Sequence, residues 1–231
     1  MPLALKKIHY AYLFFVLHAV MACSNYGLKD KLENPGGGTG TADRLYIFVS
    51  SISTNGDTTG LVNGGCGSIG VGINRADCSC TELARSAGLL RSSTSKFVAW
   101  LSDNNNNDMT CRINGGTGAN CSNTGGPSWY NTFNELIATG YADLFDSALN
   151  AAIKYTENRT PSAFATVWSG TDANGLRTGA GVAANNCSGW TTTAGTGTTG
   201  SIGAVDAFWS NNAGIPTCNA APLPVYCIAQ P

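Results

Sequence analysis

The stretch Leu45–Val49, with the sequence LYIFV, decides the fold class. Every position is apolar or aromatic, without the alternation of a strand that has one face in water. This pattern predicts a β-strand that is covered on both faces. Phe97–Leu101 (FVAWL) predicts a second buried strand, and Phe164–Trp168 and Val225–Ile228 are two further strand candidates.

One amphipathic segment lies between the first two strands. The apolar residues of Thr81–Leu90 (TELARSAGLL) fall on one face of a helix, and Gly88 weakens its end. We therefore expect a helix here, with Cys80 at its start. The whole pattern predicts an α+β fold in which one or two helices pack on a small antiparallel sheet, with long loops in the C-terminal half.

Composition points to an exported, loop-rich domain. The chain has 231 residues, of which 29 are Gly, 43% are hydrophobic and only 12% are charged, against about 25% charged residues in an average domain. The apolar content is too high for a disordered chain. A formal net charge of −1 gives no overall field to attract polyanions, which argues against nucleic-acid partners and general binding to anionic membranes.

The first 22 residues have the composition of an export signal. Lys6 and Lys7 precede the mostly apolar stretch Ile8–Met21, which at 14 residues falls short of the roughly 20 that span a bilayer. Ala22-Cys23 follows, and the segment resembles a bacterial lipoprotein signal, cut before a cysteine that is then lipidated. The alternative is a plain secretory peptide that leaves Cys23 as an ordinary thiol.

These features predict three regions. They are a signal peptide at 1–22, a lipidated Cys23 with a flexible, Gly-rich tether to residue 43, and one domain at 44–231. The lipid on Cys23 would anchor this domain to the outer membrane. Both histidines, His9 and His18, belong to the signal peptide. The mature chain therefore lacks the imidazole that most nucleophilic and zinc chemistry requires, and we expect a protein that is not an enzyme and uses no cofactor or metal.

Eight cysteines remain after Cys23. An exported protein favours disulfides over zinc ligation, and the C-x-C spacing of Cys78 and Cys80 lacks the second C-x-x-C pair of a zinc site. Eight cysteines allow 105 pairings, among which sequence spacing does not choose.

Six motifs in order resemble the leptospiral endostatin-like surface lipoproteins, from about residue 45 to residue 230. They are Ala76-Asp77-x-x-Cys80, Phe97–Asp103 (FVAWLSD), Val167–Thr171 (VWSGT), Asn186–Trp190 (NCSGW), Trp209 with Cys218, and Val225–Gln230 (VYCIAQ). The resemblance implies a C-type-lectin-like domain, related to endostatin, that is exposed on the cell surface. It also implies binding to host extracellular-matrix or plasma proteins of the laminin, fibronectin, plasminogen or factor H class.

The same resemblance implies a disulfide pattern. Cys80 would pair with Cys227 and Cys187 with Cys218, leaving Cys66–Cys78 and Cys111–Cys121 as local pairs. The calcium motifs of C-type lectins are absent from the sequence. The nearest substitute, Asp103–Asp108, lacks the Gly and Glu of a calcium loop, and we interpret it as a solvated turn.

Two groups of residues are candidate ligand sites. Arg75, Arg85, Arg91 and Lys96 would form a basic face beside the helix that binds a sulfated glycan or an acidic protein surface; the alternative is an ordinary solvated helix face. Trp129 and Tyr130 lie in a Gly/Ser-rich segment and are expected to be exposed. They would be the aromatic anchors of the second functional alternative, a calcium-independent lectin.

Overall fold

The structure is a computed structural model that describes residues 44–105, 107–179 and 185–231. The signal peptide, Cys23 and the tether predicted from the sequence lie outside the described residues. Within them, no helix is both long enough and apolar enough to cross a lipid bilayer.

A five-stranded sheet forms the centre of the domain. Its strands are β1 (Leu45–Val49), β2 (Phe97–Ala99), β3 (Trp129–Tyr130), β4 (Leu136–Ala138) and β7 (Tyr226–Ala229), in the spatial order β2-β7-β1-β3-β4. The central strand β1 is buried at all five positions. It pairs antiparallel with β7 but parallel with β3, so the predicted antiparallel sheet contains one parallel pair. The long connection between β1 and β3 includes a helix, as a parallel pair requires.

A second, two-stranded sheet pairs β5 (Thr166–Trp168) antiparallel with β6 (Thr199–Ser201). The four predicted strands are therefore present, although three differ in their bounds. The second predicted strand ends at Ala99 rather than Leu101, and the third begins at Thr166 rather than Phe164. The last one is shifted by one residue, to begin at Tyr226.

One long helix, α1, covers Ile73–Ser86 and packs against β2. The predicted helix at Thr81–Leu90 is correct only in its first half, and Cys80 lies in the body of the helix rather than at its start. The buried face extends back to Ala76, one turn before the predicted beginning. The helix ends early because Gly88, with φ of 69°, adopts the left-handed conformation that terminates helices.

The remaining helical segments are short. They are the 3₁₀ turns Gly64–Ser68 and Ala207–Trp209 and the four-residue segments Met109–Arg112, Tyr141–Leu144 and Cys187–Trp190. The domain is thus a mixed α+β structure with small sheets, a single long helix among the described residues, and extended loops.

Aromatic side chains fill much of the core. All five tryptophans are at most 1% exposed, and Trp100 lies 4.6 Å from Trp209 between ring centroids. The expectation that Trp129 is exposed is wrong. Trp129 pairs with Leu45 and points into the core, where its indole N–H donates to the Ala229 carbonyl at 2.9 Å.

Four disulfides crosslink the domain, which confirms the prediction that the eight cysteines pair. Cys80–Cys227 joins α1 to β7 across 147 residues, and Cys187–Cys218 spans 31 residues. Cys66–Cys78 and Cys111–Cys121 close short loops of 12 and 10 residues. These are the pairs that the resemblance implies, and two of them hold α1.

Candidate functional site

A groove of about 630 Å³ lies between α1 and the loops at residues 93–96 and 112–117. The strand β2 is at its base, because Phe97 and Val98 belong to the lining. The charged residues that line the groove are Asp77, Glu82, Arg85, Lys96 and Arg112. They come from three separate segments of the chain, which the fold brings together at the edge of the sheet formed by β2.

The base of the groove is a sheet edge whose backbone groups are occupied by side chains. Thr81 Oγ1 accepts a hydrogen bond from the Phe97 amide at 3.0 Å and donates one to the Phe97 carbonyl at 3.0 Å. The Asp77 carboxylate accepts from the Ala99 amide at 2.8 Å, and Arg112 donates to the Ala99 carbonyl at 2.9 Å. The edge is therefore closed to an added strand, and a ligand would meet side chains.

Arg112 is fixed by several partners at once. Its side chain is 5% exposed, pairs with Asp77 and donates to the Leu101 carbonyl. The side-chain amide of Gln230 donates to the backbone carbonyl of Arg112 at 2.6 Å. Because Asp77 already neutralises this charge, Arg112 serves the architecture of the groove rather than ligand binding.

The predicted basic cluster is divided by the fold. Arg85 and Lys96 line the same groove, and both are exposed. Arg85 is 53% exposed and its guanidinium lies 3.5 Å from the Glu82 carboxylate. Arg75 instead turns back to donate to the carbonyls of Ile69 at 2.9 Å and Gly67 at 3.3 Å. Arg91 is exposed but is not part of the groove lining.

The second predicted pair is also separated. Trp129 lies in the core, whereas Tyr130 is half-buried beneath Arg44, whose guanidinium carbon is 5.1 Å from the ring centroid. Alternation along β3 explains the separation, because neighbouring residues of a strand face opposite sides of the sheet.

Thr81, Arg112 and Gln230 line the groove but were not among the residues predicted from the sequence to bind a ligand. Asp77 and Gln230 belong to two of the quoted motifs, and this membership could have marked them as site residues. Arg112 pairs with a residue 35 positions away, and local patterns contain no signal for such a contact.

In the segment Asp103–Asp108, where we expected a solvated turn, Asn104 and Asn105 do form a turn and Asn105 is exposed, but both aspartates are buried. Asp103 is 4% exposed and accepts hydrogen bonds from the amides of Asn105 at 2.8 Å and Asn107 at 3.2 Å. Asp108 is 6% exposed and accepts from the amides of Asn120 at 2.9 Å and Arg177 at 3.0 Å. Both carboxylates are used to fasten loops.

Among residues 44–105, 107–179 and 185–231, no three His, Cys, Asp or Glu side chains lie together as a metal site would need. No protein-family model matches the chain, and no curated protein sequence matches it either. The groove is therefore characterised by its own chemistry alone, with two exposed cations above a base of paired polar groups.

Proposed function

We propose that this protein is a non-catalytic surface lipoprotein that binds host extracellular-matrix or complement-regulatory proteins. In this proposal Cys23 is acylated and anchors the chain in the outer membrane, and residues 44–231 form a C-type-lectin-like domain of the endostatin-like type. Candidate partners are laminin, fibronectin, plasminogen and factor H, with sulfated glycans as further ligands. The α+β fold with four disulfides supports this class of domain.

The observation that carries the proposal is the placement of Arg85 and Lys96 on one groove. Both cations are exposed, and Arg85 makes only a solvent-accessible pair with Glu82 at 3.5 Å, whereas the charge of Arg112 is buried and paired with Asp77. Carboxylates or sulfates of a partner would form charge-assisted hydrogen bonds to these two side chains. The hydroxyls of Ser93, Thr94 and Ser95 also line the groove and add neutral donors.

Rigidity supports the same proposal. The helix that carries Arg85 is tied to β7 by Cys80–Cys227 and to the preceding loop by Cys66–Cys78. The groove wall at residues 112–117 is enclosed by the third crosslink, Cys111–Cys121. A site that is ordered before binding loses less entropy when a partner docks, so modest contacts suffice.

The test is a binding panel. Binding of the oxidised chain from residue 24 to immobilised laminin, fibronectin, plasminogen and factor H is measured. The double variant Arg85→Gln, Lys96→Gln is measured on the same panel for comparison. Loss of two charge-assisted hydrogen bonds should weaken binding at least about tenfold. Binding of the unchanged chain should also fall as salt rises. Arg159→Gln, which removes an exposed cation outside the groove lining, is the matched control.

Equal binding by the double variant and the control would contradict the role of the groove. Binding only by a reduced, unfolded sample would show non-specific adhesion. A partner that is bound only before enzymatic deglycosylation would favour the lectin alternative. In the lectin alternative Trp129 is not accessible to a glycan, because its ring is buried.

A further inference from the structure

A second surface, distinct from the groove, combines one exposed ring and two half-buried rings with cations. We define the aromatic face as Tyr130, Phe133 and Tyr155 together with Arg44 and Lys154. Phe133 is 51% exposed, and its ring centroid lies 4.2 Å from that of Tyr155. The Lys154 ammonium lies 5.3 Å from the centroid of Tyr155, and Arg44 covers Tyr130 in the same way.

The fold connects these residues through β1 and β3. Tyr46 is in register with Tyr130 on the neighbouring strand, and its hydroxyl donates to Asn134 Oδ1 at 3.1 Å. The hydroxyl of Thr132 donates to the carbonyl of Thr156 at 3.0 Å. The loop after β3 is thereby attached both to the start of β1 and to the segment that carries Lys154 and Tyr155.

Phe133 is held in its exposed position by a specific turn. The side-chain oxygen of Asn131 accepts hydrogen bonds from the amides of Phe133 and Glu135, each at 3.0 Å. The Asn131 amide in turn donates to the Glu135 carboxylate at 2.6 Å. Asn131 itself is fully buried, so the loop presents the Phe133 ring to solvent on a fixed backbone.

The position of Arg44 favours the lipid bilayer as the partner of the aromatic face. Arg44 is the residue at which the segment that begins at the proposed acylated Cys23 enters the domain. The aromatic face therefore includes Arg44, the residue that directly follows the proposed tether. Tyrosine and phenylalanine rings flanked by Lys and Arg are the side chains that bind the boundary between lipid headgroups and acyl chains.

We propose that the aromatic face contacts the bilayer surface and orients the anchored domain. The inference rests on the proposed acylation of Cys23, and it adds a second membrane contact to the acyl chains. A net charge of −1 gives no long-range attraction to lipid. The contact instead depends on the local rings and on the two cations, Arg44 and Lys154, that lie over two of them.

The test uses fluorescence, because the five native tryptophans are buried. The protein is produced in a bacterial host with its signal peptide and Cys23 intact, and is then reconstituted into vesicles of phosphatidylglycerol and phosphatidylcholine whose brominated acyl chains quench tryptophan on contact. Phe133→Trp places a reporter on the aromatic face. Phe208→Trp is the matched control, because Phe208 is 54% exposed and belongs to a different segment, the 3₁₀ turn Ala207–Trp209.

We expect Phe133→Trp to lose several times more fluorescence than Phe208→Trp when brominated lipid replaces ordinary lipid. Adding Lys154→Gln to Phe133→Trp should reduce that loss, whereas adding Lys96→Gln, which removes a lysine of the groove, should not. Equal quenching of the two reporters, or none in either, overturns the aromatic face as a lipid contact.

The outcomes also separate this inference from the proposed function. Protein that does not remain with the vesicles contradicts acylation of Cys23, and with it both proposals. Protein that remains with them but shows no selective quenching contradicts only the aromatic face. Loss of binding to host proteins in the groove variants is measured independently of lipid.

Discussion

Asp77 and Arg112 form an ion pair along the outer edge of β2, and each also bonds a backbone group of Ala99. The pair thereby takes the place of a neighbouring strand. An edge strand normally presents unpaired amides and carbonyls that invite association with other chains. Here one acidic and one basic side chain close that edge and at the same time shape the base of the groove.

Removing Arg112 should therefore destabilise the domain. Arg112→Met leaves the carbonyls of Ala99 and Leu101 and the carboxylate of Asp77 without their partner, and we expect a loss of about 2–4 kcal/mol in the free energy of unfolding. Urea denaturation measures this loss. Arg85→Met breaks only the exposed pair with Glu82 and should cost less than about 1 kcal/mol; equal losses would contradict the closed edge.

The disulfides should differ in their contributions according to the loops they close. Replacing Cys80 and Cys227 together by Ala releases a loop of 147 residues, which corresponds to about 5 kcal/mol in the chain-entropy model. Replacing Cys111 and Cys121 releases 10 residues and should cost about 3 kcal/mol. Urea midpoints of the two double variants give the order, and the reverse order would show that native-state contacts dominate over chain entropy.

Gly56 should be required for the Cys187–Cys218 bond. A Cβ atom at this position would lie 2.7 Å from Cys218 Cβ and would also collide with the Cys187 sulfur. We expect Gly56→Ala to leave both cysteines reduced, with a loss of about 3–4 kcal/mol for a loop of 31 residues. A thiol-reactive dye applied under denaturing conditions counts the free thiols. Gly65→Ala, where nothing lies within 4 Å of the added atom, should retain all four disulfides.

Stability should fall in alkaline solution because of Tyr226. Burial raises the pKa of this phenol above its ordinary value, which is about 10, and its hydroxyl donates to the Ser201 carbonyl at 3.2 Å. Above that pH the unfolded chain releases the proton and the folded chain keeps it, so unfolding is favoured as pH rises. Tyr226→Phe should lessen this pH dependence in urea titrations, and an unchanged slope would assign it to other groups.

The sequence predicted the strands that are long enough to carry a continuous apolar pattern. Leu45–Val49 is such a strand, and its bounds are the same in the structure. β3 consists of Trp129 and Tyr130 alone, and two residues cannot show a period. Their Gly/Ser-rich surroundings indicated a loop, and the burial of Trp129 depends on pairing with a strand far away in the chain.

The helix and the groove show a related limit. The first turns of α1 contain the polar residues Asn74, Arg75 and Asp77, and its N-cap is Gly72 rather than a residue with a capping side chain, so the usual start signal is missing. Sequence placed Arg85 and Lys96 near one another through their proximity in the chain. It did not predict that Arg75 lies apart from them, because a hydrogen bond from a guanidinium to a backbone carbonyl has no sequence pattern.

The Cys80–Cys227 crosslink has a consequence for how the protein would respond to proteases. A single cut in any exposed loop between those two cysteines leaves both fragments covalently joined. The severed chain would migrate at its original mass on a gel until a reductant is added. A protease could therefore nick the domain in such a loop without releasing either fragment.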